Sequence, residues 1–171
     1  MGQETCQPQN HSYKADNMIL KTVTLQEANG LLPLVREHFF RIHVMLAHLQ
    51  HLRSRLPNIS PKRFVFDDKN EMIVVIRKKG RSKKFKATSR EIREIERLIE
   101  KEINDLMRLG AVIKGLVPPH IDFLSIKNQE PIFLCWHGGE SEIKHWHQLD
   151  DGSPFRHIIA KGSRFGPHVV H

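Results

Sequence analysis

The sequence predicts an α+β fold: a long antiparallel, coiled-coil-like helical hairpin, a basic β-hairpin inserted between its two helices, and an antiparallel β-hairpin near the C-terminus. Three observations carry this reading. Apolar residues recur at alternating spacings of four and three along two separate segments. A β-branched and aromatic pair of runs lies between those segments. A second such pair, bearing both tryptophans, follows them.

The elements follow in order. Residues 1–22 are polar and without period, so they are expected to form a disordered leader ahead of one domain spanning 23–156. Thr24-Leu25-Gln26-Glu27 has the form of a capping box, in which hydroxyl and carboxylate each bond the other residue's backbone N–H. The first helix is therefore expected over 24–56, with a break or kink where Asn29-Gly30 and Pro33 weaken it. Ala28, Leu32, Val35, Phe39, Ile42, Leu46 and Leu49 form its seam. A second capping box, Thr88 to Glu91, opens a helix over 89–109 with Ile92, Ile95, Ile99, Leu106 and Leu109 on one face, interrupted by Glu102 and ended by Gly110. Neither stripe is stable alone in water, so the two are expected to zip together. Between them, Arg63 to Phe66 and Met72 to Ile76 predict a β-hairpin over 62–86, with a third short strand around Lys84-Phe85-Lys86. Ala111 to Val117 and Pro118-Pro119 read as connecting pieces. A last hairpin over 131–149 turns at Gly138-Gly139, and 157–171 reads as an irregular tail.

Composition narrows the function classes. No apolar run reaches the roughly 18–20 residues that cross a bilayer, and the first residues lack the apolar centre of a signal peptide, so a cytoplasmic protein with no membrane partner is expected. Cys6 stands where a myristoylation start wants Ser or Thr. With only Cys6 and Cys135, a disulfide framework is not expected. Lys and Arg outnumber Asp and Glu by 27 to 19, a formal charge of +8 that suits a polyanionic partner. Arg77, Lys78, Lys79, Arg81, Lys83, Lys84, Lys86 and Arg90 concentrate that charge, with Phe85 interleaved, on an arm suited to nucleic acid or another polyanion. The same lysines would equally protect an exposed edge strand from aggregation. The helical seams could also recruit a second copy as a homodimer.

The densest reactive cluster is Cys135-Trp136-His137-Gly138-Gly139-Glu140 with His145-Trp146-His147. If Cys135 pairs with His145, alternation puts Cys135, His137, His145 and His147 on one face and Trp136 and Trp146 on the other. A thiol and imidazoles are ligands that Zn²⁺ prefers, with Glu140 available beside them as a base. Two short Cys-x-His and His-x-His pairs are less specific than paired Cys-x-x-Cys knuckles, and half-buried sheets often carry Trp and His without a metal. Arg156 could clamp an anion or pair with Asp150 or Asp151. His43, His48 and His51 flank the first seam and read as surface residues.

The chain also resembles an uncharacterised bacterial family, a domain of unknown function. The matching segments are Thr24 to Asn29 with Leu31 to Val35, Leu109-Gly110-Ala111 with Gly115-Leu116-Val117, and Leu134-Cys135-Trp136 with Gly139-Glu140 and Trp146-His147. The resemblance spans about 23–156 and implies a helical hairpin followed by a short sheet. It singles out Cys135, Trp136, Gly139, Glu140, Trp146, His147, Gly152 and Arg156, but neither His137 nor His145. It implies no activity, and the basic hairpin reads as an addition to the family pattern.

Two functional expectations follow. The first is a binding module whose ligand surface comprises Cys135, Trp136, Glu140, Trp146, His147 and Arg156, with the basic arm attracting polyanions. The alternative is a zinc-dependent, hydrolase-like enzyme with Cys135 and His147 as metal ligands, His145 or His137 completing the set, and Glu140 as general base.

Overall fold

The computed structural model describes residues 21–55, 83–151 and 155–166, together with the backbone of four two-residue strands. Those strands form two antiparallel pairs: β1 (Lys14–Ala15) with β2 (Met18–Ile19), and β3 (Val65–Phe66) with β4 (Met72–Ile73). The other elements are α1 (Leu25–Ser54), α2 (Lys83–Arg108), β5 (Ala111–Leu116), β6 (Pro119–Lys127), β7 (Glu130–His137), β8 (His145–Gln148) and β9 (His157–Ile158).

The expected capping box starts α1. The Glu27 carboxylate accepts from the Thr24 N–H at 2.7 Å and the Thr24 hydroxyl accepts from the Glu27 N–H at 3.1 Å. The break expected near Pro33 does not end the helix, which runs unbroken to Ser54. Ala28, Leu32 and Val35 are buried on both sides of the proline, and their packing outweighs one missing backbone hydrogen bond. The buried set of α1 follows the predicted seam except that Leu46 is only partly buried and Leu52 is added.

α2 begins at Lys83, ahead of the Thr88 box, so the strand expected around Lys84-Phe85-Lys86 is helix instead. Lys83, Lys84, Lys86 and Ala87 all have good helix propensity, and they extend the helix N-terminally past its apolar stripe. Lys86 and Arg90 are thus exposed helical residues, while Arg77, Lys78, Lys79 and Arg81 lie outside the described residues. His38 meets Glu102 at 2.6 Å and His48 meets Glu91 at 3.5 Å, so α1 and α2 run in opposite directions. Glu102, the polar interruption of the second stripe, also accepts from Arg41 Nε at 2.9 Å. Ile103 takes the buried position beside it.

The larger departure is the sheet. In place of a single C-terminal hairpin there is a five-stranded antiparallel meander in the order β5-β6-β7-β8-β9. The segment read as connecting pieces supplies β5 and the first residue of β6, and the residues up to Lys127, for which the sequence predicts no element, supply the rest of β6. Part of the expected irregular tail supplies the edge strand β9, and Phe165 beyond it is buried. One face of the sheet, through Ala111, Ile113, Ile121, Phe123, Ile132, Leu134 and Trp136, packs against both helices as the main core. Removing one such large side chain to Ala typically costs about 2–5 kcal/mol. The opposite face carries a smaller apolar cluster of Val112, Leu124 and Phe133, and beside it a polar one.

Candidate metal centre

The polar cluster arises from alternation on three neighbouring strands. Because Ile121 and Phe123 on β6 and Leu134 and Trp136 on β7 point to the helices, the side chains between them emerge on the other face. His120 lies opposite His137, Asp122 opposite Cys135, and Cys135 opposite His145. The pairing of Cys135 with His145 is the register that the alternation argument assumed.

Cys135 Sγ is the hub. It lies 3.2 Å from His120 Nε2, and the His120 and His137 rings meet edge to face with centroids 4.1 Å apart. Ligand atoms of His120, Cys135 and His137 all fall within 4.8 Å of one another, as do those of Asp122, Cys135 and His147. His120 Nε2 is 3.6 Å from Asp122 Oδ1, and His147 Nε2 is 3.3 Å from Asp122 Oδ2. His147 thus reaches over β7 to a residue two strands away. Its Nδ1 donates to the Gln148 carbonyl at 2.7 Å, which leaves Nε2 directed at the cluster.

The arrangement has a dry floor and a wetter rim. Asp122 and Cys135 are 0% exposed and His147 is 2% exposed, whereas His120 and His137 are half-buried. Within this setting Asp122 Oδ1 and the Nε2 of His137 are buried with no hydrogen-bond partner. Orphaned polar atoms of this kind are costly, so two in one cluster point to a missing counterpart.

The electrostatics are consistent with that. Burial would raise the Asp122 carboxyl, but His120 and His147 beside it hold it well below the usual carboxylate range. Burial, reinforced by the Asp122 charge, pushes the Cys135 thiol up, so without a cation it stays protonated. His137 is lowered by burial and then by the electrostatic effect of His120 and Arg156 beside it. His147 is raised: burial opposes the charge, and the Asp122 carboxylate overcomes it.

Glu140 stands apart from this hub. Its Oε2 accepts the backbone N–H of His137 at 2.8 Å, and Arg156 Nη2 donates to its two oxygens at 2.9 and 3.1 Å. Burial would raise the Glu140 carboxyl, but these bonds hold it low. Arg156 therefore pairs with Glu140 instead of Asp150 or Asp151. It also donates to the Cys135 carbonyl at 3.3 Å and lies 3.1 Å from His137 Nδ1. His145 Nδ1 sits 3.4 Å from Glu140 Oε1.

Of the residues singled out in the sequence, Cys135, His137 and His147 come together, and Glu140, Arg156 and His145 form an adjoining polar cluster. Trp136 and Trp146 lie on the opposite face. Trp136 is buried against Phe39 and donates from Nε1 to the Glu140 carbonyl, and Trp146 stacks between Lys127 and His157. Trp136 also lines an open groove of about 530 Å³ with Arg36, Phe39 and Phe40 on that side. His43 donates to or accepts at no cluster atom, lying 2.7 Å from the Leu116 carbonyl, and His48 and His51 are exposed. His120 and Asp122 were missed by sequence reasoning. The signal was present: in Pro119-His120-Ile121-Asp122-Phe123 polar and apolar residues alternate with the period of a strand.

A family model described as an uncharacterized conserved protein, DUF2203, matches residues 21–159. No curated protein and no solved structure matches the chain.

Proposed function

We propose that this chain, which belongs to the DUF2203 family of uncharacterized conserved proteins, is a metal-binding module that holds a borderline-soft divalent ion, zinc being the best fit, at the Cys135 cluster. The carrying observation is a pair of ligand groups that share Cys135 Sγ, one with His120 and His137 and one with Asp122 and His147, in which Asp122 Oδ1 and His137 Nε2 are buried without a partner. Zn²⁺ bonds of about 2.0–2.3 Å in tetrahedral geometry place ligand atoms roughly 3.3–3.6 Å apart. The 3.6 Å between His120 and Asp122 matches such an edge, and the 3.2 Å between His120 and Cys135 lies just below that range. A thiolate, two imidazoles and a carboxylate make a donor set suited to zinc, and would turn a reluctant thiol into a thiolate.

His120, Asp122, Cys135 and His137 are assigned as the ligands. His147 orients Asp122 through Oδ2, the role that a carboxylate–imidazole pair commonly plays around zinc. His145 is not assigned as a ligand, since its nearer charged partner is Glu140. The same contact pattern favours binding over hydrolysis: a general base must have a free lone pair near the reacting water, and Glu140 is engaged by Arg156 and by the His137 N–H.

The test is the metal content of protein purified and then equilibrated with Zn²⁺ and desalted. One equivalent is expected for the natural chain, and a small fraction of that for folded Cys135→Ala and His137→Ala. Retention of one equivalent in both variants, or none in the natural chain, contradicts the assignment.

A further inference from the structure

A conflict at His137 bears on how the proposed centre is controlled, and it rests on that reading. Arg156 Nη1 lies 3.1 Å from His137 Nδ1, and a guanidinium can only donate. The ring must accept there, so Nδ1 carries no hydrogen and the proton of the neutral ring is on Nε2, the buried atom that has no partner. An imidazole that binds a metal through one nitrogen carries its hydrogen on the other. With a metal on Nε2, Nδ1–H would face the N–H of Arg156, donor against donor.

We infer that Arg156 is a latch that competes with the metal for His137, so that the ion is held only when the guanidinium has left the ring. The latch has an alternative within the cluster. The Glu140 carboxylate already accepts the His137 backbone N–H, and once relieved of Arg156 it is an acceptor for the ring N–H, giving a carboxylate–imidazole–metal arrangement. Arg156 immediately precedes β9, whose partner is β8, and it follows Phe155, which is 64% exposed. Metal occupancy is thereby coupled to the position of the chain entering the edge strand. Removing the guanidinium also removes a positive charge beside the incoming cation, which acts in the same direction.

The experiment measures Zn²⁺ affinity by competition with a chromogenic chelator for the natural chain and Arg156→Met, which retains side-chain bulk without a donor. If the unlatched state is populated to a tenth or less, the variant binds about tenfold tighter or more. Equal or weaker binding by folded variant protein overturns the latch and leaves the metal site standing. Absence of Zn²⁺ binding by both proteins overturns both. A second measurement needs no variant: amide hydrogen exchange at Arg156 and His157 is expected to quicken when Zn²⁺ is added to the natural chain, and unchanged or slower exchange overturns the latch.

Discussion

At the scale of single residues, the cluster separates groups by what each can still offer. Cys135 has coordination capacity to spare and His137 keeps Nε2 without a partner, whereas His147 has spent one nitrogen on the Gln148 carbonyl and turns the other to Asp122. This division predicts graded effects. His147→Ala is expected to keep the metal but weaken its affinity about 10–100-fold, the usual effect of losing a residue that only orients a ligand. Cys135→Ala should abolish tight binding. Equal loss in the two variants, read by chelator competition, would make His147 a ligand in its own right. Little of this was visible in sequence. Cys135, His137 and His147 stood out as reactive types on one sheet face, but the role of each depended on Asp122, whose partner His147 lies 25 positions along the chain. Glycine at 138 is another such case: a Cβ there would stand 2.8 Å from the Pro119 ring, and that close approach brings β6 alongside the end of β7, where His120 meets His137.

At the scale of elements, the helices were legible and the sheet was only half so. A seam alternating in fours and threes over more than twenty residues is a strong signal, and all its expected members except Leu46 are buried. β6 escaped because His120 and Asp122, which serve the outer cluster, flank the inward Ile121 and break up the apolar run. β9 escaped because two residues carry almost no periodic information. The site inherits that gap, since half of its proposed ligands are on β6. The helix pair yields its own prediction through Glu102, which sits between His38 and Arg41. Burial raises its carboxyl, but the bonds from His38 and Arg41 win and hold it below the ordinary value. A carboxyl lowered on folding adds stability that is fully present above the unfolded value, near pH 4.3, and fades as the pH falls through the folded value. Urea midpoints should therefore fall between pH 6 and roughly pH 3, and fall less in Glu102→Gln. An identical decline in the variant would show that the helix pair does not depend on this carboxylate.

At the scale of the whole molecule, two long helices cover one face of a small sheet and leave polar chemistry on the other. The main core stabilises the sheet from the helix side, so the outer face can carry a buried carboxylate, a thiol and imidazoles that would by themselves oppose folding. A bound cation would compensate that burden, and the donor types present select a tetrahedral thiolate–imidazole environment. Composition pointed first to the basic segment, yet the described residues place Lys86 and Arg90 on the exposed side of α2 and bring no anion-binding geometry to them. The outer sheet face, by contrast, joins His120 and Asp122 of one strand to Cys135 and His137 of the next, which is why only the folded molecule displays the site.

The most direct test of the metal centre is the absorption spectrum of the Co²⁺-substituted protein, because Co²⁺ reports both ligand type and geometry. The predicted result is a thiolate-to-metal charge-transfer band in the near ultraviolet with intense visible bands of a tetrahedral ion, both lost in Cys135→Ala. A weak octahedral spectrum, the same with and without the thiol, would contradict the account.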